Sequence, residues 1–267
     1  MKNIFRKSSD QLLFILCFIV LSLSVKGNDQ EKDFYEIKVY NLKSNEQVIA
    51  VDQYLKNAYL PALHRAGINK VGVFKPIAND TAELKRIYVF IPFHSIKEWQ
   101  KLPQELEKDN AYIAASREFT DAPADKKPFE RIESILLEAF PMQAHFEMPG
   151  LKNPVTQRIY ELRSYESPTE HLHKTKVRMF NEGGEIALFK KLGFNAVFYA
   201  KVLSGSKMPN LMYLTSFENM IEHDAHWKAF GNSPEWKALT VMPEYENNVS
   251  VSRIDSILMH PTDYSDI

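Results

Sequence analysis

The chain repeats itself, and the length of the repeat limits what it can fold into. Residues 35–40 (YEIKVY) return as residues 160–165 (YELRSY), and residues 131–136 (RIESIL) return as residues 253–258 (RIDSIL). The repeating unit, roughly 105 residues, is too long for a solenoid repeat and has the size of a small domain. The sequence therefore predicts two copies of one domain.

The two copies, at 34–140 and 157–261, show the same order of predicted elements. In the first copy, alternating apolar and polar residues at 34–41 indicate a strand, and apolar residues spaced three and four apart at 46–66 indicate a helix. Two β-rich runs, a second helix and a closing strand follow. This βαββαβ order is that of a ferredoxin-like unit, whose sheet carries both helices on one face and leaves the other face to be buried.

The fold class that follows is α+β. We predict two tandem ferredoxin-like βαββαβ units packed sheet to sheet as a pseudo-dimeric α/β barrel, with a cavity between the sheets. Within the predicted helices, Pro61 indicates a kink or a break, Pro103 indicates an interruption, and Gly183-Gly184 indicates a weak point.

The first 27 residues are predicted to be a signal peptide. A basic start precedes an apolar run at residues 12–23, which suits a signal core and is short for a membrane span. Val25 and Gly27 are the small residues that a cut near Gly27/Asn28 requires. The protein is therefore expected to be periplasmic or secreted, and the alternative is an uncleaved N-terminal anchor.

Composition narrows the classes of function. Cys17, inside the predicted signal, is the sole cysteine, so the processed chain would have no disulfide, no thiolate metal site and no cysteine nucleophile. The 33 basic and 34 acidic residues nearly cancel, which indicates no nucleic-acid partner and no membrane contact after signal removal. No phosphate-binding loop or haem-attachment motif is present, so no cofactor is predicted. A homo-oligomer stays open.

The candidate site lies on the repeated strands. Side chains alternate between the faces of a strand. We expect one face, with Tyr35, Ile37 and Val39, to lie under the helices. The other face would then point into the cavity between the sheets, and its residues are the predicted ligand-binding set: Glu36, Lys38, Tyr40, Glu161, Arg163 and Tyr165.

Three interpretations of these residues stay open. In the first, they form an internal salt-bridge lattice that sets the register between the halves, in a protein with a structural or interaction role. In the second, they bind a small anionic or phenolic molecule. In the third, they carry out a cofactor-independent reaction of the isomerase or monooxygenase type, in which Arg163 holds an anion, Glu161 is the general base and Tyr165 donates a proton. A nearby cation lowers the pKa of such a carboxylate and makes it a weaker base, which argues against catalysis.

Two further sets of polar residues have spacings that suggest contacts or chemistry. On the closing strands, Arg131 shares a face with Glu133, and Arg253 shares a face with Asp255, so opposite charges are expected to meet across strands. The pair His223 and His226 has the spacing of a helical metal site but no evident third ligand. We predict solvated helix-surface histidines there, and no metal.

Short motifs of the second copy resemble a known family. Residues 160–165 (YELRSY), Tyr213-Leu214 on the third strand and residues 234–236 (PEW) are similar to the NIPSNAP family of dimeric α/β-barrel proteins. In the first copy, Trp99 corresponds to Trp227 of the second copy, but no PEW motif follows it. The resemblance implies the barrel fold and the pairing of two units, and it implies no particular reaction.

Overall fold

The computed structural model describes residues 31–245 and 247–267. The strands in these residues are β1 (Phe34–Leu42), β2 (Gly72–Pro76), β3 (Lys85–Phe93), β4 (Arg131–Ala139), β5 (Ile159–Glu166), β6 (Asn195–Ser204), β7 (Asn210–Phe217) and β8 (Arg253–Pro261). The α-helices are α1 (Asn45–Tyr54), α2 (Leu60–Arg65), α3 (Ile96–Leu106), α4 (Asn110–Thr120), α5 (Glu170–Asn181), α6 (Glu185–Lys191), α7 (Met220–Asn232), α8 (Pro234–Thr240) and α9 (Asn247–Ser250). The predicted signal peptide lies outside the described residues.

The strands form one closed barrel in the order β1-β3-β2-β8-β5-β7-β6-β4, in which β4 also pairs with β1. Every neighbouring pair is antiparallel. Each half of the chain contributes four adjacent strands, and within each half the first strand lies between the third and the fourth. The predicted α+β class with an antiparallel barrel is confirmed.

Helix breaks fall where the local chemistry demands them. Gly184, with a φ of 90°, separates α5 from α6, as predicted. Pro61 lies in the first turn of α2, after a π-helical turn at Leu55–Tyr59. The break predicted at Pro103 is wrong, because α3 continues to Leu106. The chain is interrupted at 107–109 instead, where the carboxylate of Asp109 caps the first backbone N–H groups of α4.

The barrel interior is apolar, and this reverses the predicted faces of the repeated strands. Tyr35, Ile37 and Val39 pack with Tyr160 and Leu162 in one cluster that draws on both halves of the chain. An eight-stranded barrel is just wide enough for its side chains to fill it, so the fully apolar face turns inward. The prediction that these residues lie under the helices is therefore wrong.

The six polar residues of the predicted site lie on the outer face of the barrel, beneath the helices. In the first half Tyr40 packs with Leu55 and Tyr59. In the second half Tyr165 packs with Phe180 and residues of α6 and β7. The prediction that they point between the sheets is wrong for these residues: Glu36, Lys38, Tyr40, Glu161, Arg163 and Tyr165.

Both faces of the barrel wall are thus covered. Helices α1 to α4 cover the first half, and α5 to α8 cover the second. None of the helices in residues 31–245 and 247–267 is long and apolar enough to cross a bilayer.

Candidate functional site

One end of the barrel is open, and the opening arises from the way two strands separate from their neighbours. Strand β4 pairs with β6 only from Leu136 onward, and β8 pairs with β2 only from Met259 onward. The earlier residues of β4 and β8 therefore diverge around a cavity of about 510 Å³. We call this cavity, lined by residues of β1, β3 to β8 and the β6–β7 loop, the barrel mouth.

The lower wall of the barrel mouth is apolar. Its lining includes Ile37, Val39, Ile135, Leu162, Val202, Met212 and Ile257. Beneath it the rings of Phe90 and Phe198 stack, with centroids 5.2 Å apart and planes 2° from parallel. The aromatic layer closes the barrel, so the mouth is a pocket and not a channel.

Arg86 is the distinctive polar residue of the barrel mouth. Its Nε donates to Asn41 Oδ1 at 3.2 Å, and the Asn41 Nδ2 donates to Glu133 Oε1 at 2.8 Å. Asn41 thus lies between the cation and the carboxylate. Within residues 31–245 and 247–267, no carboxylate lies within the 4.0 Å limit of an ion pair with Arg86. Its guanidinium is therefore free to bind an anion that enters the pocket.

Tyr88 lies two residues along β3, on the same face as Arg86. Burial raises the pKa of the Tyr88 hydroxyl to about 12, even though the charge of Arg86 acts in the opposite direction. The hydroxyl accordingly keeps its proton at neutral pH. Tyr88 can donate a hydrogen bond to a ligand oxygen beside the Arg86 guanidinium.

The opposite rim of the barrel mouth is neutralised internally. Lys207 Nζ lies 2.7 Å from Asp255 Oδ2, and Arg253 Nε donates to Asp255 Oδ1 at 2.8 Å. Burial raises the pKa of Asp255, but the two cations outweigh that effect and lower it overall. Glu166 lies within 4.0 Å of both cations. The expected meeting of opposite charges across strands is found here between Glu166 on β5 and Arg253 on β8, but Arg131 and Glu133 on β4 take part in no ion pair among the described residues.

A second polar cluster lies under α7 and is built around Glu161. Its Oε1 accepts from Arg163 Nη1 at 2.8 Å and from Ser256 Oγ at 2.5 Å. Its Oε2 accepts from Trp227 Nε1 at 2.6 Å and from His223 Nε2 at 3.1 Å. Each carboxylate oxygen of Glu161 thus accepts hydrogen bonds from two protein donors, and Glu161 is 2% exposed. We call these five residues the Glu161 cluster.

The electrostatics of the Glu161 cluster favour the charged carboxylate. Burial raises the pKa of Glu161, but the hydrogen bonds from His223, Ser256 and Arg163, together with the Arg163 charge, lower it to about 2. A carboxylate held in this way is a poor general base. The Arg163 guanidinium also lies 4.5 Å from the centre of the Trp227 ring, which fixes it against the helix.

The first half carries a reduced version of the same arrangement. Glu36 Oε1 accepts from Ser134 Oγ at 2.5 Å, as Glu161 does from Ser256, and Lys38 Nζ lies 3.9 Å away. The repeated polar positions therefore link β1 to β4 and β5 to β8 within each half, whereas the salt-bridge-lattice interpretation expects contacts that set the register between the halves. The ligand-binding role of the six residues stays a prediction.

The expectation for His223 needs correction. It is buried, at 9% exposure, and not a solvated surface residue, because α7 turns it toward Glu161. His226, three residues on, instead donates from Nδ1 to the carbonyl of Glu222. The two histidines share no common ligand direction. No group of three or more His, Cys, Asp or Glu side chains in the described ranges is placed to hold a metal.

Sequence analysis identified only some of the residues that line the barrel mouth. It identified Glu133, Arg253 and Asp255 as polar residues sharing faces of the closing strands, but it did not single out Arg86 or Tyr88. The available signal was the alternation of residues 86–90 (RIYVF), which places Arg86, Tyr88 and Phe90 on one face. If Phe90 is assigned to the barrel interior, the alternation assigns Arg86 and Tyr88 to the interior as well.

The fold places the protein among antiparallel α/β barrels. A proposed monooxygenase from Fusobacterium nucleatum has 6% sequence identity with this chain, covering 87% of it and 93% of its own chain, at a TM-score of 0.58. A proposed monooxygenase from Lactobacillus acidophilus has 11% identity, covering 86% and 94%, at a TM-score of 0.53. An anthrone oxidase-like protein has 11% identity, covering 87% and 92%, at a TM-score of 0.51.

At such identities these similarities show the fold alone. The family assignment comes from the sequence of the second half, where residues 160–266 match the family described as NIPSNAP. This match over residues 160–266 confirms the predicted resemblance to the NIPSNAP family. No curated protein matches the chain.

Proposed function

We propose that the protein binds a small anionic or phenolic molecule in the barrel mouth. The observation that carries the proposal is Arg86, a pocket cation without a carboxylate partner in the described part of the chain. Beside it Tyr88 keeps a donor proton at neutral pH. The two side chains together suit a carboxylate, phenolate or enolate oxygen.

The shape of the pocket favours a compact ligand with an apolar body. A cavity of about 510 Å³ falls in the range of small-molecule sites. The apolar wall of Ile37, Leu162 and Met212 would take an aromatic or aliphatic body, while the anionic oxygen binds Arg86 at the rim. Buried apolar area would supply affinity, and the charged contact would supply orientation.

Cofactor-independent catalysis is the second candidate, and one observation favours it. Glu133 lines the same pocket, and in the described part of the chain its side chain accepts a hydrogen bond from the neutral Asn41 and forms no ion pair with a cation. A carboxylate so placed is a better candidate for a general base than Glu161, which is saturated by hydrogen bonds. The monooxygenases of similar fold have the same overall architecture but transfer no residue roles at their identities.

Arg86→Met tests the binding proposal, because methionine keeps the apolar bulk and removes the charge. The ligand is first sought by a thermal-shift screen of aromatic carboxylates and phenols. We expect Arg86→Met to weaken binding of the best compound at least tenfold in calorimetric titration, since a charge-assisted hydrogen bond contributes about 1.5–3 kcal/mol. We expect little change in melting temperature, because no ion pair is broken.

Arg163→Met is the matched control, since Arg163 is an arginine outside the barrel mouth. It should lower the melting temperature and leave affinity unchanged. Equal affinity of the Arg86→Met variant and the wild type would contradict the proposal. Chromatography with mass and NMR spectra of the ligand after incubation separates the two candidates: an unchanged ligand supports binding alone, a changed mass supports oxygenation, and a new isomer of the same mass supports isomerisation.

The proposal includes the origin of the barrel. We infer that residues 34–140 and 157–261 are tandem ferredoxin-like units that pair as a pseudo-dimer. The repeated strand order within the halves and the repeated Glu–Ser hydrogen bonds support this inference. The barrel mouth would then lie between two units of one ancestral fold.

Export of the protein is a further part of the proposal. It depends on the basic, apolar and small-residue order of residues 1–27. We expect mass spectrometry of the protein from its native host to find an N-terminus at Asn28 in a periplasmic or secreted fraction. An intact Met1 on protein from the cytosolic fraction would rule out a cleaved signal.

A further inference from the structure

The outer edge of β4 at the barrel mouth has no strand beside it. Strand β6, its neighbour on that side, begins to pair at Leu136, so residues 131–135 present an open edge. The other edge of β4 pairs regularly with β1. Open strand edges are templates for pairing with another chain.

The direction of the backbone groups on this edge follows from the register. Ala139 N donates to Asp33 O on β1, whereas Phe140 N donates to Tyr199 O on β6. In an antiparallel sheet, the backbone N–H and C=O groups of successive residues point to the neighbouring strands on opposite sides. Because β4 is regular against β1, Ile132 and Ser134 turn their N–H and C=O groups toward the open side.

The charges on the edge favour pairing with a second copy of this chain. An antiparallel twofold centred on Ile132 would place Ile132 opposite Ile132 of a second copy, and Arg131 opposite Glu133 of the second copy at both ends. A register centred on Glu133 would instead place like charges opposite each other. Ile132 is 41% exposed, so its side chain is available for an apolar contact at the centre.

The equivalent edge of β8 supplies the contrast. Its sequence, Arg253-Ile254-Asp255, repeats the pattern, but Arg253 and Lys207 already neutralise Asp255 within the molecule. On β4, Arg131 donates to the carbonyl of Glu130. In the described part of the chain, neither Arg131 nor Glu133 takes part in an ion pair.

We propose that the open edge of β4 is a homodimer interface, in which two copies pair antiparallel around Ile132 with Arg131 opposite Glu133 of the second copy. Pairing along this short edge would bury less surface than a stable interface, which buries about 1,200–2,000 Å² in total. The dimer is therefore weak and depends on concentration.

Charge reversal tests the proposal by sedimentation velocity over a range of micromolar concentrations. The wild type should dimerise as concentration rises. Arg131→Glu and Glu133→Arg each place like charges opposite one another, and each should weaken dimerisation at least tenfold. The double variant Arg131→Glu/Glu133→Arg restores opposite charges and should dimerise as the wild type does, which also shows that the edge still folds.

Arg253→Glu is the matched control on β8 and should leave dimerisation unchanged. A wild type that stays monomeric throughout would overturn the proposal. So would single reversals that dimerise normally, or a folded double variant that does not recover. Equal loss in Arg253→Glu would assign the interface to β8 and overturn the choice of β4.

Discussion

Replacing Glu161 by alanine is expected to destabilise the protein by about 3–5 kcal/mol, the usual cost of breaking a buried ion pair. The change leaves the Arg163 guanidinium, the Trp227 N–H and the Ser256 hydroxyl without their acceptor beneath α7. Buried donors that lose their acceptor keep the full cost of desolvation. We expect a fall in melting temperature on the order of 10 °C, measured by calorimetry or circular dichroism.

The repeat offers a matched control in Glu36→Ala. Glu36 occupies the equivalent strand position, but its contacts are the Ser134 hydroxyl and a distant Lys38 ammonium. Its replacement should cost about 1–2 kcal/mol. Equal losses for the two variants, or a loss below about 1 kcal/mol for Glu161→Ala, would mean that the Glu161 cluster does not hold α7 to the barrel.

Acid should remove a large share of the same stabilisation. Glu161 has a folded pKa of about 2 against an ordinary value of 4.5. A lowered folded pKa stabilises the protein above the ordinary value, and this stabilisation disappears as pH falls from about 4.5 toward 2. The shift corresponds to roughly 3 kcal/mol.

The difference between the wild type and Glu161→Gln isolates this effect from that of other carboxylates. Urea unfolding from pH 7 down to about pH 2.5 should show a wild-type advantage that is constant above pH 5 and shrinks steadily below it. An advantage that does not change with pH would mean that the Glu161 carboxylate is not held in its charged form. His223, whose pKa is raised by Glu161 and Asp224 against the effect of burial, should contribute stability that disappears as pH rises through its folded pKa.

Much of the fold could be predicted from the sequence, because the repeat and the periodicities are local signals. The strand predicted at 34–41 is observed at Phe34–Leu42, within a residue of its predicted bounds. The glycine pair at 183–184 marked the break between α5 and α6 correctly. The prediction at Pro103 was wrong, because the helix continues past this proline. The next helix begins where the Asp109 carboxylate caps its first backbone N–H groups.

The faces of the repeated strands could not be assigned by alternation alone. Alternation separates Tyr35 and Ile37 from Glu36 and Lys38, but it does not say which set faces the helices. Both faces are covered in this fold, so each set is buried. Burial of the polar set became favourable because α7 brings Trp227 and His223 over Glu161, a contact between residues distant in sequence.

The barrel mouth escaped prediction for a related reason. Arg86 and Tyr88 lie on β3, which has no counterpart motif in the repeated sequences. Their approach to Glu133 depends on the order β3-β1-β4, and Asn41 on β1 provides the link between them. A local pattern cannot report which strands become neighbours.

We propose that the barrel mouth, and not the polar cluster under α7, binds the ligand. The decisive measurement is a crystal structure of the protein with the tightest compound from the screen. We expect an anionic or phenolic oxygen within hydrogen-bonding distance of Arg86 and Tyr88, with the body of the ligand against Ile37 and Leu162. A ligand bound beside Arg163 and Tyr165 beneath the helices, or on the outer surface of the barrel, would contradict it.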